Sequence, residues 1–96
     1  MAAPRRPPTP ERVDLAFGRV LRSLRERQGL SQERLGHESQ SGRTFISELE
    51  RGEKGASLKM VFRLAPHLGV SANAIVRLVE KELSKEEGGA IFGKMH

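Results

Sequence analysis

The stretch that decides the fold is residues 29–52, GLSQERLGHESQSGRTFISELERG. Ser31 is a good N-cap, because its hydroxyl can accept one of the backbone N–H groups a helix leaves open at its start; a helix from Gln32 to about Ser39 follows. Leu35 is the buried residue of that helix, and Gly36 is small enough to let another helix approach. Ser39, Gln40, Ser41 and Gly42 form a tight polar turn. Arg43 to Arg51 make the next helix, and Gly52 stands where a helix stop is expected. Arg43, Ser47, Arg51, Thr44 and Glu48 then fall within about 140° of arc, while Phe45, Leu49, Ile46 and Glu50 take the other side. One face is polar throughout and points away from the core. The inner face carries three apolar residues and one glutamate.

Working outward, Phe17, Val20, Leu21 and Leu24 recur at helical spacing with Val13 on the same stripe, which predicts a helix over residues 12–28. Arg12, Arg19, Arg22 and Glu26 fall on its solvated face, and Arg25 lies at the edge of the apolar stripe, placed to look inward. Gly29 supplies the stop and Leu30 re-enters the core. On the other side, Ser57 caps a helix whose apolar stripe is Leu58, Val61, Leu64, Ala65 and Leu68; Pro66, lacking the N–H that would pair with the carbonyl of Phe62, should kink or shorten its last turn. Ser71 caps a last helix from Ala72 to about Glu87. Ile75 and Leu78 would suffice for its core contact, yet Ala72, Val76, Val79 and Leu83 widen the stripe. Gly88 and Gly89 should end it.

The expected organisation is an all-α, compact five-helix bundle of one domain over residues 12–87. Before it stands a basic, proline-rich arm, residues 1–11, with no means of packing a core. After it comes a loose tail, residues 88–96. The 96 residues leave room for one small core, so oligomerisation is expected to matter. No cysteine is present, which excludes disulfides, zinc thiolates and a thiol nucleophile. No apolar run approaches a membrane span and no signal segment is evident, so no membrane partner and a cytoplasmic location are expected.

The net charge of +5 suits a polyanionic partner. Its distribution is more telling: residues 1–30 carry seven Arg against three acids, residues 31–56 four bases against five acids, and residues 57–96 six against four. The positive charge lies beside the helix at 43–51 rather than on it. That division fits flanking parts that grip phosphates around a helix that discriminates bases.

With these elements in order, FGRVLRSLRERQGLSQERLGHESQSGRTFISELERGEKGASLKMVFRLAPHLGVSANAIVRLV resembles the phage-repressor and Cro-like helix-turn-helix transcriptional regulators, over about residues 17–79. LRSLRERQGLSQ, RTFISELERG, SL and LGVS agree in register. The resemblance implies a sequence-specific double-stranded DNA binder, with Gln32 on a phosphate aided by the helix N-terminus and Ser31 capping the same end. Arg43, Thr44 and Glu48 stand where the family reads bases, and Phe45, Ser47, Arg51 and Lys54 stand at the groove edge or phosphates. Arg43 can bond guanine O6 and N7 together, Thr44 can touch a thymine methyl, and Glu48 can accept from cytosine N4. Arg25 and Glu50, the two inward charges, match a pair that locks the first helix to the third; neither is tolerable alone in the interior.

This chain departs from the family pattern at several positions. Gln40 replaces a turn Gly, Ser41 an apolar residue, Gly36 an Ala, Arg34 the second acid of a capping box, and Gly55 and Ala56 an Asn-Pro pair; Pro66 is also unusual.

A single short reading helix specifies few bases, so a homodimer on a pseudo-palindrome is expected. Ala72, Val76, Val79 and Leu83 are its candidate surface. Two protein partners are also open: a toxin held by the tail KEEGGAIFGKMH, with DNA binding serving autoregulation, and RNA polymerase docking on Glu33 and Glu38. His37, His67 and His96 lie apart without a metal-ligand spacing, and no phosphate loop or nucleophile motif occurs. No enzyme, metal or cofactor is expected.

Overall fold

A computed structural model describes the backbone of residues 6–95 and the side chains through Lys85. Five helices and no strand occur among the described residues: α1 (Pro10–Arg27), α2 (Gln32–Glu38), α3 (Arg43–Glu50), α4 (Leu58–Leu68) and α5 (Ala72–Met95). Of these, no helix is long and apolar enough to cross a membrane.

Side-chain oxygens cap four of the starts. Thr9, Ser31, Ser57 and Ser71 accept from the backbone N–H of Arg12, Arg34, Met60 and Ala74 at 2.9–3.3 Å. Only α3 starts without one, at Gly42. α1 begins two residues earlier than its periodicity predicts, because Thr9 as cap and Pro10 in the first turn form a start signal of their own. Residues 1–5 of the expected arm lie outside the described residues.

The helix ends share one motif as well. After α1, α2, α3 and α4 the chain turns through a left-handed residue whose following N–H bonds back to a carbonyl one turn earlier: Leu30 to Arg25, Ser41 to Gly36, Glu53 to Glu48 and Val70 to Ala65. Gly29, Gly52 and Gly69 occupy three of these turns. The fourth is Gln40, with φ 61°, the one non-glycine residue at positive φ among the described residues.

Leu21, Leu35, Ile46, Leu49, Leu64, Leu68 and Ile75 are fully buried in a common core. Each such side chain contributes about 1.5–3 kcal/mol relative to exposure. Two glycines then set how closely α3 is seated. A Cβ on Gly18 of α1 would lie 2.5 Å from the carbonyl oxygen of Leu49, and a Cβ on Gly36 of α2 would lie 2.5 Å from the carbonyl carbon of Gly42. Backbone thus meets backbone at both ends of α3.

Four expectations need correction. Leu58 is 68% exposed rather than part of the core, since as the first residue of α4 it projects beyond the bundle. Pro66 does not shorten α4, which continues to Leu68; the carbonyl it leaves without a partner is on exposed Phe62, where water can reach it. α5 does not stop at Gly88 and Gly89, because a glycine costs a helix only about 1 kcal/mol and does not forbid it. Finally, Val79 is only 9% exposed and belongs to the core.

Candidate nucleic-acid interface

The outer face of α3 carries the side chains its periodicity placed there. Arg43, Thr44 and Arg51 are exposed, and Ser47 and Glu48 are half-exposed. Arg43 has no ion-pair partner among the described residues. It shares a shallow depression with Ser31, Gln32 and Glu33 at the start of α2, and with Arg25. The fold therefore brings the expected phosphate contact and the first expected base contact to one place.

The other polar groups on this face are already engaged. Arg51 clamps Glu53 through Nε and Nη2 at 2.7 and 3.0 Å and also donates to the Ser47 hydroxyl. Hydrogen bonding to Arg51 holds the Glu53 carboxyl below its ordinary range. Lys54 lies 3.8 Å from Glu48. These exposed pairs are weak, so a phosphate can replace either carboxylate at little cost. Phe45 is half-buried and packs against the core at the margin of the face.

Behind the face sits a network built on Glu50. Arg25 grips its carboxylate with two hydrogen bonds, Nε to Oε2 at 2.5 Å and Nη2 to Oε1 at 3.0 Å. The third arm of the guanidinium, Nη1, donates to the Leu30 carbonyl at 2.7 Å, and Gln32 Nε2 donates to Glu50 Oε1 at 2.9 Å. One ion pair thus ties α1, the loop entering α2, α2 itself and α3. The side chains are 10% and 4% exposed, and no buried polar side-chain atom among the described residues lacks a partner. The Glu50 hydrogen bond raises the Arg25 pKa above its ordinary value against the opposing effect of burial.

Gln32 belongs both to this network and to the depression at Arg43. Its amide has a second N–H left to donate, so contact with Glu50 orients it rather than consumes it. Nothing in the spacing of residues 32 and 50 signals the pair. The close approach at Gly18 does have a sequence signal, since a glycine inside a strongly periodic helix is a recognisable mark of close packing.

The surface expected to dimerise is only partly available. Ala72 and Leu83 are half-buried and Val79 is spent on the core, because α5 lies along α1 and uses that part of its stripe within the monomer. Val76 remains 46% exposed. On α4, Leu58 and Phe62, one turn apart, are 68% and 62% exposed. On α2, Glu38 is engaged by Arg34 at 2.8 Å and lies 3.8 Å from His67, whereas Glu33 is exposed.

Two short helices joined by a tight turn, the second with a clamped inner face and a solvent-facing polar outer face, define a helix-turn-helix DNA-binding regulator. The chain belongs to the helix-turn-helix domain family, which matches residues 16–78, and within it to the phage-repressor type. It is 37% identical to the control protein C.BamHI of Bacillus amyloliquefaciens over 59 residues, which cover 60% of this chain and 73% of that protein. Among solved structures it is similar to a point mutant of the restriction-modification controller protein C.Esp1396I, with TM-score 0.68 and 28% identity over 75% of this chain and 96% of the other. The clp gene regulator ClgR of Corynebacterium glutamicum shares the fold, with TM-score 0.77 at 24% identity over 86% and 88% of the two chains.

Proposed function

We propose that the chain binds a pseudo-palindromic double-stranded DNA operator as a homodimer, placing α3 in the major groove of each half-site. The observation that carries this reading is the depression shared by Arg43 and the start of α2, held from behind by the Arg25–Glu50–Gln32 network. Arg43, Thr44 and Glu48 read base edges. Gln32 and Ser31 meet a phosphate at the N-terminus of α2, and Phe45, Ser47, Arg51 and Lys54 line the groove edge. A second copy covers exposed Val76, Leu58 and Phe62 and sets the half-sites about one turn of duplex apart. The likeness to named control proteins supports a regulatory use of this binding. The reading is non-enzymatic and places the protein with cytoplasmic DNA.

Selection of binding sites from random duplex DNA tests it. A recovered inverted repeat, with base preference at one position lost in Arg43→Ala, is the expected result; enrichment of no sequence overturns the reading.

A further inference from the structure

A second charged surface lies on the far side of α1. The positions through which α1 meets α3, Gly18 and Arg25, are about 150° around the helix from Ser23, which sits in the middle of a groove between α1 and α5. The groove encloses about 220 Å³, too little for an ordinary small-molecule pocket. Its floor is Val20 and Leu24, buried, with half-buried Leu78. Its rims carry four cations, Arg19 and Arg27 from α1 and Lys81 and Lys85 from α5.

Among the described residues of the groove, one carboxylate stands with them. Glu82 lies 3.6 Å from Arg19 and 3.8 Å from Lys85, bridging the two rims at one end. Arg27 and Lys81 have no ion-pair partner among the described residues. Among the described residues the groove therefore combines an apolar floor with an excess of positive charge at Arg27 and Lys81, in a place that α3 does not share.

We propose that this groove docks an acidic, amphipathic peptide segment of a partner protein. Carboxylates on the segment pair with the rim cations while an apolar side chain between them enters the floor. Arg19 and Arg27 are about 12 Å apart along α1, which matches two acidic residues eight positions apart on a helix, one of them meeting Arg27 and the other taking the place of Glu82 in its weak, half-exposed pair with Arg19. A nucleic-acid backbone fits less well, because it offers nothing apolar to the floor and would meet Glu82 with evenly spaced phosphates. Since the groove faces away from α3, the segment can dock while DNA is held.

The test uses the full chain and a fluorescein-labelled helical peptide with two glutamates eight positions apart and leucine midway, followed by anisotropy. Binding that weakens about tenfold or more in Arg27→Glu, Lys81→Glu and when the two glutamates become glutamine is the expected result. Amide shifts in the ¹⁵N-labelled chain should centre on Ser23, Arg27 and Lys81. Both variant positions are exposed, and an unchanged melting curve will show that the double variant folds. Shifts centred on α3, binding indifferent to the charge reversal, or displacement of the peptide by random-sequence duplex with shifts at the same groove residues would each overturn the proposal.

Discussion

Gln32 and Glu50 share one hydrogen bond, amide Nε2 to carboxylate Oε1 at 2.9 Å, across 18 positions of sequence. It couples the first residue of α2 to the last residue of α3, so the group expected at a phosphate is aimed by the helix expected at the bases. The same carboxylate holds Arg25, and the two contacts differ in weight.

Glu50→Ala should cost about 3–5 kcal/mol, because it strands a nearly buried guanidinium without its counter-charge. Gln32→Ala removes a neutral donor at the margin of the network and should cost only about 1 kcal/mol. Urea unfolding of the two variants ranks them; equal losses would contradict the assignment of the carboxylate as the centre of the network.

Gln40→Gly should stabilise the fold by about 0.5–1 kcal/mol. A left-handed conformation costs a side-chain-bearing residue about 1–2 kcal/mol, partly offset by the extra freedom glycine has in the unfolded chain. The three glycines at the matching turns of α1, α3 and α4 do not carry that cost. A lower urea midpoint for the variant would show that the Gln40 side chain makes a compensating contact.

Gly36→Ala should destabilise by about 1–3 kcal/mol, although alanine is the better helix former, since its Cβ meets the backbone of Gly42 and Arg43 rather than a side chain able to swing away. Gly18→Ala should do the same against Leu49 and Glu50. Melting temperatures above wild type in both variants would mean that α3 can back away freely.

Val79→Glu should unfold the monomer, while Val76→Glu should leave it folded and weaken self-association. The first position is in the core and the second faces outward. Circular dichroism with sedimentation equilibrium separates the two effects, and a folded Val79→Glu chain would restore that residue to the outer surface.

Acid should loosen the molecule through two surface carboxylates. Arg34 holds the Glu38 carboxyl below its usual value, chiefly by its hydrogen bond, with the charges of Arg34, His67 and His37 adding to it; Arg51 does the same to Glu53. A carboxyl depressed in the folded state stabilises fully above its unfolded pKa of about 4.5, and that contribution fades as pH falls through the folded value. The Glu38→Gln, Glu53→Gln double variant should therefore lose less stability than wild type on acidification below about pH 4.5. Parallel urea midpoints against pH would contradict this.

Local chemistry made much of the molecule legible. Ser31, Ser57 and Ser71 announced three helix starts, and two charges facing inward on separate helices announced each other at Arg25 and Glu50. What escaped depended on neighbours distant in sequence. Leu58 and Val79 both lie on apolar stripes, yet periodicity does not say how far along a stripe the core extends: it takes in Val79, while Leu58 stays uncovered among the described residues. The Gln32 contact to Glu50 exists only because Gly18 and Gly36 let α3 settle where it does.

Those two glycines also divide the labour of α3. Its position is fixed by main chain against main chain, at Leu49 and Glu50 on one end and at Gly42 and Arg43 on the other, and these contacts are indifferent to what the outward side chains are. Arg43, Thr44 and Glu48 can be exchanged without moving the helix beneath them. If those side chains read bases as proposed, a descendant of this chain can change the DNA it recognises while its architecture stays the same.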